Sequence, residues 1–196
     1  MNSTHLMKKL IQFESPDFLA FTGDMVSGEI LILKHFSSFL GYSWDKTPGW
    51  YKKMWDRWTE VIYDTKVPYG YTLGNHDGEA DLTRREVVEV DMKNPHSFTR
   101  MAPEGVDGAS NFVVPIYSSK DPEEVVMNLW FFDSNRNDCL SVAGWGCVDH
   151  SAVNWYRTKS EELESTQNGR KPGVAFMHIP PPEFIFAYEV ETWIVP

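Results

Sequence analysis

The chain has 196 residues and is short of three things: cysteine, basic side chains and long apolar runs. Its 18 Lys and Arg face 28 Asp and Glu, for a formal net charge of −10. That balance argues against nucleic acid as a partner, because a phosphate backbone attracts basic patches. No apolar stretch approaches the length that crosses a bilayer, so no membrane partner is expected. The start, Met1-Asn2-Ser3-Thr4-His5, carries no signal-peptide apolar region. A cytoplasmic location is therefore the expectation, with a secreted or vesicular one as the alternative. The two cysteines, Cys139 and Cys147, bracket a short loop and keep that alternative open. They could pair in an oxidising compartment or stay thiols in a reducing one. Repeats, linkers and low-complexity tracts are lacking too, so 1–196 reads as a single domain.

What the chain does have is enough apolar surface for a core, with 42% hydrophobic and 14% aromatic residues. Ser3 or Thr4 caps a helix whose Leu6, Met7, Leu10 and Ile11 share a face, and Ser15-Pro16 ends it. Phe18 to Thr22 reads as a buried strand, followed by a helix over about 29–40. Thr47-Pro48 opens a helix to about Tyr63. Its Trp50, Met54, Trp55, Trp58, Val61 and Ile62 recur at helical spacing and read as core-facing. Tyr69 to Leu73 is a strand, and Asp81 or Thr83 starts a helix to Met92. Residues 111–117 and 125–133 read as strands of a second sheet. Asp149 or Ser151 caps a helix to about Glu164, and Val174 to Met177 is the last clear buried strand. Helices alternating with strands in this way make an α/β chain.

Three of the strands stop abruptly at groups that hold metals or move protons. Phe18-Leu19-Ala20-Phe21-Thr22 ends in Gly23-Asp24, and Leu73 runs into Gly74-Asn75-His76-Asp77. Ala175-Phe176-Met177 ends in His178. Open α/β sheets gather ligands at the carboxyl ends of their strands, so these residues are expected at one rim. Taken singly, Asp24 could cap a helix, Asn75 could serve a turn, and His178 could be structural. Asp133, at another strand end, reads as either a supporting or a structural acid. The remaining histidines, His5, His35, His96 and His150, have no such neighbours and read as surface groups.

The ordered set of Gly23-Asp24, Gly74-Asn75-His76-Asp77 and His178-Ile179-Pro180-Pro181-Pro182-Glu183 resembles the calcineurin-like metallophosphoesterase superfamily. With Phe131-Phe132-Asp133-Ser134 it is most similar to the purple-acid-phosphatase-like subgroup that includes a yeast cell-cycle phosphatase and plant relatives. The resemblance implies a two-sheet metallophosphoesterase-type α/β sandwich with flanking helices. It implies metal-dependent hydrolysis of a phosphomonoester or phosphoprotein by a metal-bound hydroxide. The cofactors would be divalent metal ions, with Mn, Zn, Fe and Mg all compatible with oxygen and imidazole ligands. By the same resemblance Asp24 bridges two metals, while Asn75 and His178 ligate the second. His76 would contact the phosphate and serve the leaving oxygen, and Asp77 would hydrogen-bond His76. An acidic surface repels a phosphorylated substrate at long range, so the metal charge must outweigh it locally.

The pattern also departs from the family. Purple acid phosphatases place a tyrosine ligand where this chain has Ser27, so no tyrosinate colour is expected. No Asp-x-His precedes Asp24, and no Gly-His-x-His follows before Pro196. The expectation is a chain truncated at both ends, with little two-metal activity of its own. The alternative function is a pseudophosphatase that acts as a binding or scaffold protein on the same fold.

Overall fold

The computed structural model describes residues 3–26, 29–32, 41–44, 46–181 and 183–184. Chain order is α1 (Ser3–Glu14), β1 (Leu19–Phe21), β2 (Glu29–Ile32), β3 (Gly41–Trp44), α2 (Trp50–Thr65), β4 (Tyr69–Tyr71) and α3 (Arg84–Asp91). Then follow β5 (Phe112–Tyr117), β6 (Val125–Phe131), β7 (Asn137–Cys139), β8 (Val142–Trp145), α4 (His150–Thr166) and β9 (Gly173–Phe176).

Strand side chains alternate between faces, and that period builds the layers. β1 and β4 run parallel, with Leu19 opposite Tyr69 and Phe21 opposite Tyr71. Tyr69 and Tyr71 join Trp55, Trp58 and Ile62 of α2 and Val87 and Val88 of α3 in one buried cluster. Phe21 leans on Trp58 with ring centroids 4.8 Å apart, and Trp55 meets Tyr71 edge-on at 5.0 Å. The aromatic spacing of α2 therefore marks a core face, as its period predicts.

Phe18 and Ala20 pack instead against the second sheet, together with Phe112, Leu129 and Phe131. There β6 lies between antiparallel β5 and parallel β9. Phe131 is fully buried, stacking on Phe112 at 4.6 Å and on Phe176 at 5.0 Å. A Cβ on Gly70 would come within 2.7 Å of the Phe131 ring, so glycine lets the two sheets close. The alternate residues of that region, Trp130 and Phe132, meet Trp155 and Tyr156 of α4. Helices, sheet, sheet and helix stack in that order, the two-sheet sandwich with flanking helices that the resemblance implies.

The helix starts have local causes. Thr83 and Glu86 form a reciprocal capping box, and Asp149 accepts from the Ser151 amide. α2 has Gly49 at its N-cap and no side-chain cap of its own. Asp81 serves instead, accepting from the amides of Gly49 at 2.7 Å and Tyr51 at 2.8 Å.

Two expectations are corrected. Residues 29–32, expected to begin a helix, form β2, which pairs antiparallel with β3. A short apolar run such as Ile30-Leu31-Ile32 fits either period, and pairing of Glu29–Ile32 to Gly41–Trp44 decides it. The rest of that expected helix, 33–40, and the Ser27 position lie outside the described residues. The segment between the cysteines, read as a loop, is the β7–β8 hairpin, with Cys139 opposite Val142 and a disulfide from Cys139 to Cys147. Its turn uses Leu140 and Ser141 at positive φ, which carry none of the usual Asn-Gly signal. Among the described residues, no helix is long and apolar enough to cross a membrane.

Phe131→Ala is expected to lower unfolding free energy by about 3–5 kcal/mol in urea titration, the usual cost of a large aromatic cavity. Tyr117→Ala, at an exposed ring, is expected to change it by no more than about 0.5 kcal/mol. Iodoacetamide should label no cysteine in the denatured, unreduced chain and two after reduction. Labelling before reduction would contradict the disulfide.

Candidate metal centre

The two parallel strands β1 and β4 end side by side, and their following turns dock through glycine. Gly23 has φ +98, and a Cβ there would meet the Gly74 amide at 2.3 Å. A Cβ on Gly74 would meet the Asp24 carboxylate at 2.1 Å. Each turn therefore needs a bare backbone for the other to approach. Asp24 itself sits at φ 53, a conformation that costs a non-glycine residue energy and is held here by its partners.

Those partners are mutual. The Asp24 amide donates to Asp77 Oδ2 at 2.9 Å, and the Gly74 amide donates to the same oxygen at 2.7 Å. The other oxygen, Oδ1, accepts from the Tyr51 hydroxyl at 3.0 Å. In return, the His76 amide donates to Asp24 Oδ1 at 2.9 Å. Asp77 is fully buried, and burial pushes its carboxyl above the usual range despite these donors. The expected hydrogen bond from Asp77 to the His76 ring is therefore corrected. Both Asp77 oxygens are taken by the turns and by α2, and His76 Nδ1 lies instead 2.9 Å from Glu79 Oε2. Arg136 Nη2 donates to Glu79 Oε1. Neither Glu79 nor Arg136 stood out in the sequence, although His76-x-x-Glu79 spacing is suited to a turn that closes on itself.

His178 arrives from the second sheet, just past β9. Its Nδ1 lies 2.7 Å from the Thr22 carbonyl, which can only accept, so Nδ1 carries a hydrogen. Its Nε2 lies 2.9 Å from Asn75 Oδ1 and 3.2 Å from Asp24 Oδ2. The next amide, Ile179, donates to Ser134 Oγ at 3.0 Å and seats the loop on the end of β6. The structure thus brings Asp24, Asn75 and His178 together, with His76 and Asp77 beside them. The other described histidines lie elsewhere, with His150 at the start of α4 and His96 in a T-shaped contact with Tyr63.

The donor set fits a cation. A neutral Nε2 lone pair facing two oxygen acceptors is repulsive, and only a proton or a metal ion reconciles the three atoms. The hydrogen bond to Asp24 holds His178 above the ordinary imidazole range, against the opposing effect of burial. Burial pushes Asp24 up, but hydrogen bonds from His178 and the His76 amide outweigh it and hold the carboxyl below its usual range. The Nδ1 hydrogen bond to a carbonyl is the usual outer support of a ligating imidazole. Among the described residues, no group of three or more His, Cys, Asp or Glu side chains is placed to hold a metal. The third donor here is the amide of Asn75.

Asp133 proves to be a structural acid. It is fully buried, takes Arg84 Nη2 at 2.5 Å and the Ala109 amide at 2.7 Å, and so ties α3 to the end of β6. Arg84 also donates to the carbonyls of Gly74 and Asp77, fixing the turn that carries Asn75.

Comparison with known proteins gives the family. The pattern that defines calcineurin-like phosphoesterases matches residues 2–194. Similar proteins include two from Arabidopsis thaliana, "Probable inactive purple acid phosphatase 29" and "Probable inactive purple acid phosphatase 14". The first is 27% identical over 94% of this chain and 47% of the relative, the second 29% identical over 94% and 46%. "Phosphatase DCR2" of Saccharomyces cerevisiae is 25% identical over 91% of this chain and 29% of the relative. The chain spans about half the length of these plant relatives. No solved structure gives a significant match. The chain belongs to the calcineurin-like phosphoesterase family.

Proposed function

We propose that this chain carries one cation site of a metal-dependent phosphoester hydrolase and presents His76 to a phosphomonoester or phosphoprotein. The observation that carries the reading is His178 Nε2 aimed between Asn75 Oδ1 and Asp24 Oδ2. Asp24, Asn75 and His178 hold the ion. A divalent cation there supplies Lewis-acid charge to a phosphoryl oxygen. Mn, Zn, Fe and Mg remain compatible with this donor set. His76, anchored by its amide to Asp24, serves the leaving oxygen as proton donor. Asp77 acts as the clamp of the two turns. Local cationic charge also offsets the acidic surface for a phosphorylated substrate.

A second reading has its own support. Among the described residues no group of three or more His, Cys, Asp or Glu side chains could hold a metal, and two relatives carry the word inactive in their names. On that reading the fold is a pseudophosphatase that binds rather than hydrolyses. The disulfide also supports the secreted or vesicular alternative for location, since such bonds persist in oxidising compartments.

Titration with Mn or Zn, followed by metal analysis and a p-nitrophenyl phosphate assay, separates these readings. One ion per chain is expected, with at least a tenfold loss of affinity in Asp24→Asn and in His178→Ala, and turnover close to background. Two ions with robust turnover would overturn the one-cation reading, and no ion at all would favour the scaffold. Binding must displace the proton shared by His178 and Asp24, so affinity should fall as pH drops through the raised His178 range and recover above it. Asp77→Ala leaves two amides without their acceptor. It is expected to cost about 2–4 kcal/mol in urea unfolding. A smaller change would remove Asp77 from the role of clamp.

A further inference from the structure

We infer that Glu79 is the positioning residue for the His76 imidazole, with Arg136 as its anchor. This rests on the hydrolase reading, in which His76 meets the substrate. Asp77, the adjacent carboxylate, is already committed to Asp24, Gly74 and Tyr51. The His76 backbone is held at the rim by its amide bond to Asp24.

Glu79 sets the ring with one oxygen. Oε2 lies 2.9 Å from His76 Nδ1, while Oε1 takes Arg136 Nη2. The Glu79 side chain is only 11% exposed, so the carboxylate is a built part of the wall. Its backbone is fixed as well: the Glu79 amide donates to the His76 carbonyl at 3.2 Å, and Lys46 Nζ donates to the Glu79 carbonyl. Gly78, at φ +88, makes the tight turn that returns Glu79 to the ring. Arg136 comes from the far side of the chain, at the end of the β6 connection, and closes the second oxygen.

The chemical consequence is a fixed tautomer. A carboxylate can only accept, so Nδ1 carries the hydrogen and Nε2 carries the lone pair in the neutral ring. The ring then turns Nε2 in one orientation to each substrate, as a lone pair when neutral and, once a proton is taken up, as the N–H that serves the leaving oxygen. Proton transfer depends on that geometry before it depends on acidity. Arg136 prevents the carboxylate from swinging away, because releasing it would separate a partly buried ion pair.

The test is the 15N spectrum of the His76 ring in the metal-free chain at pH 9. Assignment comes from His76→Gln. Wild type is expected to show the Nδ1–H tautomer, and Glu79→Ala to move to the Nε2–H form, while Glu124→Ala at an exposed site leaves the spectrum unchanged. Nε2–H in wild type overturns the inference, and so does Nδ1–H retained in a folded Glu79→Ala. Should Glu79→Ala fail to fold, the wild-type tautomer decides alone. Manganese titration of the same samples keeps the two ideas apart. Glu79→Ala should bind the ion as wild type does. Absence of binding in wild type would sink the hydrolase reading and leave the tautomer result standing.

Discussion

A single buried carboxylate holds the rim together. Asp77 accepts from the amides that follow β1 and β4 and from a tyrosine hydroxyl on α2, so three segments share one acceptor. Burying a charge is costly unless its hydrogen bonds are satisfied, and here three donors satisfy them. The reward is positional. With both turns bound to Asp77, Asp24 and Asn75 have no independent freedom, and His178 is the one donor that must arrive from the other sheet.

That arrival depends on how the sheets close. Gly70 under Phe131 lets β4 lie against β6, and Thr72 Oγ1 donates to the Phe132 carbonyl at 2.6 Å at the same level. β9 pairs with β6, so fixing β6 against β4 also fixes the strand that carries His178. The disulfide hairpin and Arg136 lie on the connection after β6, and Glu79 reaches across to Arg136. Packing in the core and hydrogen bonding at the rim are therefore one mechanical system.

The site divides its acids by environment. Asp24 is partly open and held below the usual carboxylate range, which keeps it charged for a cation. Asp77 and Asp91 are buried and pushed up by desolvation, Asp91 taking Tyr69 and Ser97 as donors. Glu79 is paired on one side with an imidazole and on the other with a guanidinium. Four carboxylates thus have four sets of partners, and only Asp24 is placed among metal-type donors.

Local signals along the chain specify the layers and which side chains reach the strand ends. Period-two strands, capped helices and aromatic spacing on α2 are local signals, and Asp24, Asn75 and His178 each follow an apolar run that must end at a sheet edge. The sequence by itself could not determine which partner each polar group takes. Whether 29–32 becomes helix or strand depends on pairing with Gly41–Trp44, because a three-residue apolar run satisfies both periods. Whether His76 turns to Asp77 or to Glu79 depends on which carboxylate the amides of a distant turn have already claimed. Those are competitions between groups far apart in the chain, and only the tertiary structure decides them, because hydrogen-bond acceptors are allotted in space rather than along the backbone.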